Sequence, residues 1–181
     1  DVVNASAVRD YVAHSSRPVI TLLPGDALAL SGGQIVNDEG EIANVLRVWD
    51  VATGRVIQEM AGHTDSINAI DVTSDGKRAI SVGLDRSVRV WTLDTGISEV
   101  VGQHTGAVTA VLWLPDDLTA VSAGRDGQIR VWNTQTLSLI RRFSPPDAKN
   151  PVIQALALSV DGQTVYTGGA ERLVRVWDLA T

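Results

Sequence analysis

Histidine, serine and aspartate return together along this chain at fixed distances. Ser81 follows His63 by 18 residues, Asp85 comes four later and Trp91 six after that; His104, Ser122, Asp126 and Trp132 repeat the set with identical spacings. A base, a hydroxyl nucleophile and an orienting carboxylate are the parts of a hydrolase triad. An enzyme needs one such set, whereas this chain has two complete and two partial ones. His14, Ser31 and Trp49 lack an Asp in register, and Thr167, Glu171 and Trp177 are preceded by Lys149 where a His is expected. No Gly-x-Ser-x-Gly elbow is present, so no catalytic residue is expected. Metal chemistry has no better footing. All three histidines stand at this one recurring position and the chain has no cysteine, which leaves no imidazole or thiolate for zinc or copper. Asp38, Glu39 and Glu41 form an acidic loop without the alternating Asp spacing of a calcium site. Gly32-Gly33 lacks the Lys and hydroxyl residue that complete a phosphate-binding loop. No metal and no cofactor are expected.

The elements that position these residues follow from a repeat. Arg-Val-Trp ends at Trp49, Trp91, Trp132 and Trp177, with spacings of 42, 41 and 45, and each copy is preceded by Leu, Val or Ile. Apolar and polar residues alternate over short runs, as in Ile67-Asn68-Ala69-Ile70-Asp71-Val72 and Ser87-Val88-Arg89-Val90-Trp91, which is strand periodicity. Asp75-Gly76, Asp126-Gly127 and Asp161-Gly162 stand between such runs, and Asp-Gly tolerates the positive φ of tight two-residue hairpins. The count is four short strands per unit and no helix, so the fold class is all-β. Arg47, Arg89, Arg130 and Arg175 recur with the Trp residues and are assigned a structural task shared by the units. Trp113 stands outside the repeat and is assigned to core filling.

Four-stranded repeats of this length are the mark of a β-propeller blade, and the spaced His, Ser, Asp and Trp residues resemble the WD-repeat propeller family over essentially the whole chain. The resemblance implies a buried relay in each blade, in which Trp donates to Ser or Thr, the hydroxyl to His, and His to Asp. Such a relay satisfies every polar group in a low-dielectric site. It also implies blade 1 at residues 14–60, blade 2 at 61–103, blade 3 at 104–143, and blade 4 at 144–181 without its outer strand. Residues 1–13 are expected to be an outer strand of a preceding or closing blade. Propellers of this family usually need about seven blades, because repeat units bury their core against neighbours on both sides. The rest of the ring is expected from further blades of the same chain or from a second copy closing eight blades; closure alone with four is the third arrangement.

Differences between repeats locate a candidate partner face. Ser to Trp is 10 residues in the last three units and 18 in the first, which predicts a long loop around residues 34–41. A second insertion lies around residues 144–151. In antiparallel up-and-down blades both fall on one face, and loops on a rigid scaffold are where binding concentrates. The residues expected to meet a protein or peptide are Asp38, Glu39, Glu41, Asp147 and Lys149 from the insertions, with Asp65, Arg125 and Arg172 from the regular loops. Fifteen Lys plus Arg against 21 Asp plus Glu give a net charge of −6, which disfavours nucleic acid and anionic membranes as partners. The sequence has no run of 18 apolar residues, so no spanning helix and no secretory leader are expected and the cytoplasm is the default expectation. The resemblance implies a non-enzymatic interaction scaffold. The alternative is a regulatory or sensor propeller in a larger signalling protein, fused to a kinase or a nucleotide-hydrolysing switch.

Overall fold

The computed structural model describes residues 14–37, 39–145 and 152–180. They form fifteen strands in four antiparallel sheets, and no helix occurs among them. The first sheet holds β1 (Val19–Leu22), β2 (Leu28–Val36), β3 (Ile42–Asp50) and β4 (Val56–His63). The second holds β5 (Ile67–Val72), β6 (Arg78–Gly83), β7 (Ser87–Thr92) and β8 (Ile97–Gln103). The third holds β9 (Val108–Trp113), β10 (Thr119–Gly124), β11 (Ile129–Asn133) and β12 (Ser138–Phe143). The last has three strands, β13 (Ile153–Leu158), β14 (Thr164–Gly169) and β15 (Val174–Asp178). Within each sheet the strands pair in chain order, the meander of a propeller blade. The outer strand β4 continues to His63, three residues past the boundary expected at residue 60.

Alternation along the strands divides each sheet into two faces, and the blades stack face to face. Leu30, Leu46, Val48 and Met60 of the first blade bury against Ile67, Ala79 and Trp91 of the second. Ile80, Val82, Val88 and Val101 of the second meet Val111, Ala120 and Trp132 of the third. Val121, Ile129 and Val131 of the third meet Ile153, Val165 and Trp177 of the fourth. The second, third and fourth blades thus direct Trp91, Trp132 and Trp177 toward the blade before them. Among the described residues the sheets do not close into a ring. The first blade leaves Ile20 and Leu22 exposed beside Trp49, and the fourth leaves Tyr166, Val174 and Val176 exposed.

The close approach of the indole imposes a glycine. Gly102 in β8 lies flat against the Trp132 ring, and a Cβ there would overlap ring carbons. Gly102→Ala is expected to destabilise the chain by about 1–3 kcal/mol, the usual cost of overpacking a rigid contact. Urea denaturation checks this, and an unchanged midpoint would contradict the packing.

Two turn expectations change. Gly76 and Gly162 do take positive φ, 67° and 70°, but each sits in a five-residue connection rather than a two-residue hairpin. In the first, Thr73 N–H bonds Arg78 O and Gly76 N–H bonds Thr73 O. The first-blade insertion is not a long loop either. The extra residues extend both strands of the hairpin, so β2 and β3 each have nine residues where β6 and β7 have six. Pairing runs out to Val36 opposite Ile42, and Asn37, Glu39, Gly40 and Glu41 lie in the turn beyond it. Asn37 organises it: its Oδ1 accepts from the N–H groups of Glu39 and Glu41 at 3.1 and 2.7 Å. The β-branched residues Ile35, Val36 and Ile42 favour extended backbone, and Val36 pairs across from Ile42, so the ladder extends.

Candidate functional site

The polar repeat is a hydrogen-bonded relay in the seam between blades. Trp91 Nε1–H donates to Ser81 Oγ at 2.7 Å, Ser81 Oγ is 2.7 Å from His63 Nε2, and His63 Nδ1 is 2.7 Å from Asp85 Oδ2. Because an ionised carboxylate only accepts, Nδ1 carries the proton and Nε2 accepts from the serine. The third blade repeats the chain through Trp132, Ser122, His104 and Asp126, with 2.8 Å, 2.8 Å and 3.0 Å contacts. This connectivity has the order of a triad, yet Ser81 and Ser122 are fully buried and each already accepts from an indole. No carbonyl substrate can approach either oxygen.

Burial alone would raise the carboxyls, but the hydrogen bonds they accept, from the histidines first and then from backbone N–H groups, outweigh it. Asp126, with His104 and the N–H groups of Gln128 and Thr105, is lowered to about 2. Asp85, with His63 and the Ser87 N–H and hydroxyl, is likewise held well below the usual carboxylate range. Both stay ionised and terminate the relay as charged acceptors.

The partial sets are completed differently. His14 Nε2 lies 2.8 Å from Ser31 Oγ, which accepts from Trp49 at 2.7 Å. Its Nδ1 has no partner among the described residues, because the buried Ile35 stands four residues after Ser31 where Asp85 and Asp126 stand in the next two blades. Burial, and then the Arg47 charge, lower the His14 pKa. In the fourth blade Trp177 donates to Thr167 at 2.9 Å, while Glu171 is taken up by Arg175 at 2.6 Å. Lys149 lies outside the described residues. The recurring arginines do not share one partner: Arg47 pairs with Glu59, Arg89 donates to Ser98, Arg130 lies near Asp126, and Arg175 holds Glu171.

Several members of the site went unread in the sequence. Ser87 Oγ sits 2.8 Å from Asp85 Oδ1 and 3.2 Å from His63 Nδ1. Neighbouring inner strands are latched by side chains: Asn68 Nδ2 donates to Val108 O at 2.7 Å and Thr109 Oγ1 to Ile153 O at 2.6 Å. Their spacing of 41 residues matches the repeat and was the available signal. Asp71 accepts the Trp113 N–H across the same seam at 2.8 Å, and burial raises its pKa. Trp113 itself is buried in the core between blades 2 and 3, with the Arg78 guanidinium 5.0 Å over its ring.

The loop residues named from sequence divide as follows. Glu39 and Glu41 are exposed in the turn that closes the extended hairpin, Asp65 is exposed between β4 and β5, Arg125 between β10 and β11, and Arg172 between β14 and β15. Asp38, Asp147 and Lys149 lie outside the described residues, as do residues 1–13. Backbone bonds pin the hairpin loops to the blade connections, placing both on one face: Leu84 N–H to Ser66 O, Arg125 N–H to Ala107 O, and Ala170 N–H to Val152 O.

The family described as WD domain, G-beta repeat matches residues 54–92, 97–133 and 138–178. The chain belongs to the WD-repeat family. WD repeats generally serve as protein-interaction scaffolds rather than as catalysts. Over 140 residues the chain is 31% identical to autophagy-related protein 16 of Arabidopsis thaliana, covering 77% of this chain and 19% of that protein. It is 25% identical to cross-pathway control WD-repeat protein 2 of Flammulina velutipes over 143 residues, 76% of this chain and 45% of that protein. A 58-residue stretch, 32% of this chain, is 40% identical to 7% of the protein groucho of Drosophila melanogaster. The WD-repeat chain therefore spans less than half the length of each of these relatives. Among its described residues no helix is long and apolar enough to cross a membrane.

Proposed function

We propose that this chain is a non-enzymatic scaffold that holds a protein or peptide on the face formed by the hairpin loops and the blade connections. The observation that carries the reading is the fixed geometry of that face: charged, exposed side chains stand on loops tied to their neighbours by backbone hydrogen bonds. Loops held in this way lose little entropy on binding. Glu39, Glu41, Asp65, Arg125 and Arg172 supply the contacts, with Asp38, Asp147 and Lys149 contributing from the insertions. The net charge of −6 supports protein over nucleic acid or anionic lipid as the ligand.

Reversing the charge of Glu39, Glu41, Asp65, Arg125 and Arg172 together is expected to abolish capture of a native partner, with the partner then purified and its affinity measured against both forms. Equal affinity for the reversed form would refute the face. A second reading rests on coverage, since the chain matches 19% of the first relative above: the propeller then acts as the regulatory input of a larger signalling protein. Under that reading, partner binding alters an activity carried by another part of the same polypeptide.

A further inference from the structure

Every seam in the fold joins the same two blade faces, and one of each is left uncovered. The face turned to the following blade carries the residues just before the relay hydroxyl, the recurring Arg and the Trp, which in the first blade are Leu30, Leu46 and Val48. These three and the same positions of the second and third blades are all buried in seams, none more than 7% exposed. In the fourth blade the positions hold Tyr166, Val174 and Val176, which are 39%, 76% and 63% exposed. The opposite face carries the Trp and two inner-strand residues that pair with the strand of the relay hydroxyl. Ile70 and Val72 of the second blade pack against the first in this way, and the third and fourth blades repeat the contact. The first blade has Ile20 and Leu22 there, 69% and 51% exposed, lining an open concavity with Ala29 and Trp49.

A polar latch follows the same rule. Asn68, Thr109 and Gln154 each stand 13 residues before the relay hydroxyl of their blade, at the register shift of the inner strand, and such a bulge re-aims the extra side chain. Asn68 donates to Val108 O and Thr109 to Ile153 O, each time the carbonyl just before the latch position of the following blade. Gln154 is exposed, and its side chain has no hydrogen bond among the described residues. The first blade has Pro18 at the latch position, with Arg17 before it.

We propose that the uncovered face of the fourth blade receives the Trp49 face of a second copy, so that two chains close eight blades through two equal seams. The three internal seams define what that face accepts: an apolar inner-strand pair beside a Trp, with a backbone carbonyl for the latch. Ile20, Leu22, Trp49 and Arg17 O present that set. The contact is head-to-tail, and such contacts close into rings when the rotation from copy to copy allows it. Eight blades lie within the range of propellers. Gln154 then donates to Arg17 O of the second copy, and Tyr166, Val174 and Val176 leave water for a core like the other three. The pairing is independent of the loop face proposed above.

Multi-angle light scattering of the chain at micromolar concentration is expected to give twice the 19.2 kDa of one copy. Val176→Glu and Ile20→Glu each place a charge on one half of the contact, at positions already exposed. Either alone is expected to give the single-chain mass with an unchanged circular dichroism spectrum. An equal mixture of the two is expected to regain the double mass, because each variant keeps the half that the other has lost; this recovery also shows that both are folded. Gln154→Ala is expected to weaken pairing about tenfold, and Ile140→Glu, in the outer strand of the third blade, to leave it unchanged. A single-chain mass for the unaltered protein, a mass that keeps rising beyond two copies with concentration, a double mass that survives Val176→Glu, or a mixture that stays at one copy each overturns the proposal.

Discussion

Trp91→Ala is expected to lower the unfolding free energy by about 3–5 kcal/mol, the range for emptying a large buried aromatic site. Trp91 is fully buried, and its ring fills the seam where Leu30, Leu46 and Met60 of the first blade meet Ala79 of the second. Alanine leaves a cavity between two sheets that are both fixed by their own ladders, so the site cannot collapse to fill it. It also takes the indole donor from Ser81, whose oxygen is sealed from water. Trp91→Phe separates the two contributions: most of the packing remains, and the lost N–H is expected to cost about 1–2 kcal/mol. The same truncation at Trp177 is expected to cost less than half as much, because Trp177 is only half-buried against Phe143 and the open end of the last blade. Guanidinium denaturation followed by far-ultraviolet circular dichroism measures all three. Equal costs at Trp91 and Trp177 would show that the seam does not set the contribution of the indole.

Features fixed by a periodic pattern were legible in the sequence, and features fixed by one strand meeting another were not. Four Trp residues at near-constant spacing, with alternation between them, determine four short-stranded units, because a strand period admits one way of burying those residues. The His, Ser and Asp roles came from the family resemblance that their equal spacing in two units carries. The first-blade insertion was misread as a loop because an addition of eight residues does not say how it pairs; Ile35, Val36 and Ile42 continue the ladder only because β2 and β3 already lie side by side. Ser87 escaped for a related reason. It is two residues from Asp85 in sequence, but its reach to His63 depends on the turn at Arg86. The latch from Asp71 to Trp113 joins residues 42 apart on different blades, and nothing in a single repeat signals it.

Acid is expected to dismantle the relay at its carboxylates. Asp126 is lowered to about 2 from an ordinary 3.8, so between those values the unfolded chain binds the proton that the folded chain refuses. Its stabilising contribution is therefore complete above about pH 4 and is lost as pH falls through about 2. Asp126→Asn is expected to cost about 2–3 kcal/mol at neutral pH, since the amide cannot accept from His104 Nδ1, Thr105 N–H and Gln128 N–H together. The difference between the two proteins is expected to shrink by about 1–2 kcal/mol between pH 5 and pH 2, where the wild-type carboxylate becomes neutral too. Asp71 has the opposite sign. Burial raises its pKa, so above the ordinary carboxylate value the folded state keeps a proton that the unfolded state gives up, and stability from this group rises as pH falls. Asp71→Asn is expected to remove that gain, so that acid loss starts at a higher pH in the variant than in the wild type. Urea midpoints at half-unit intervals from pH 6 to pH 2 resolve both slopes; a pH-independent gap for Asp126→Asn would mean that its carboxylate charge does not hold the seam together.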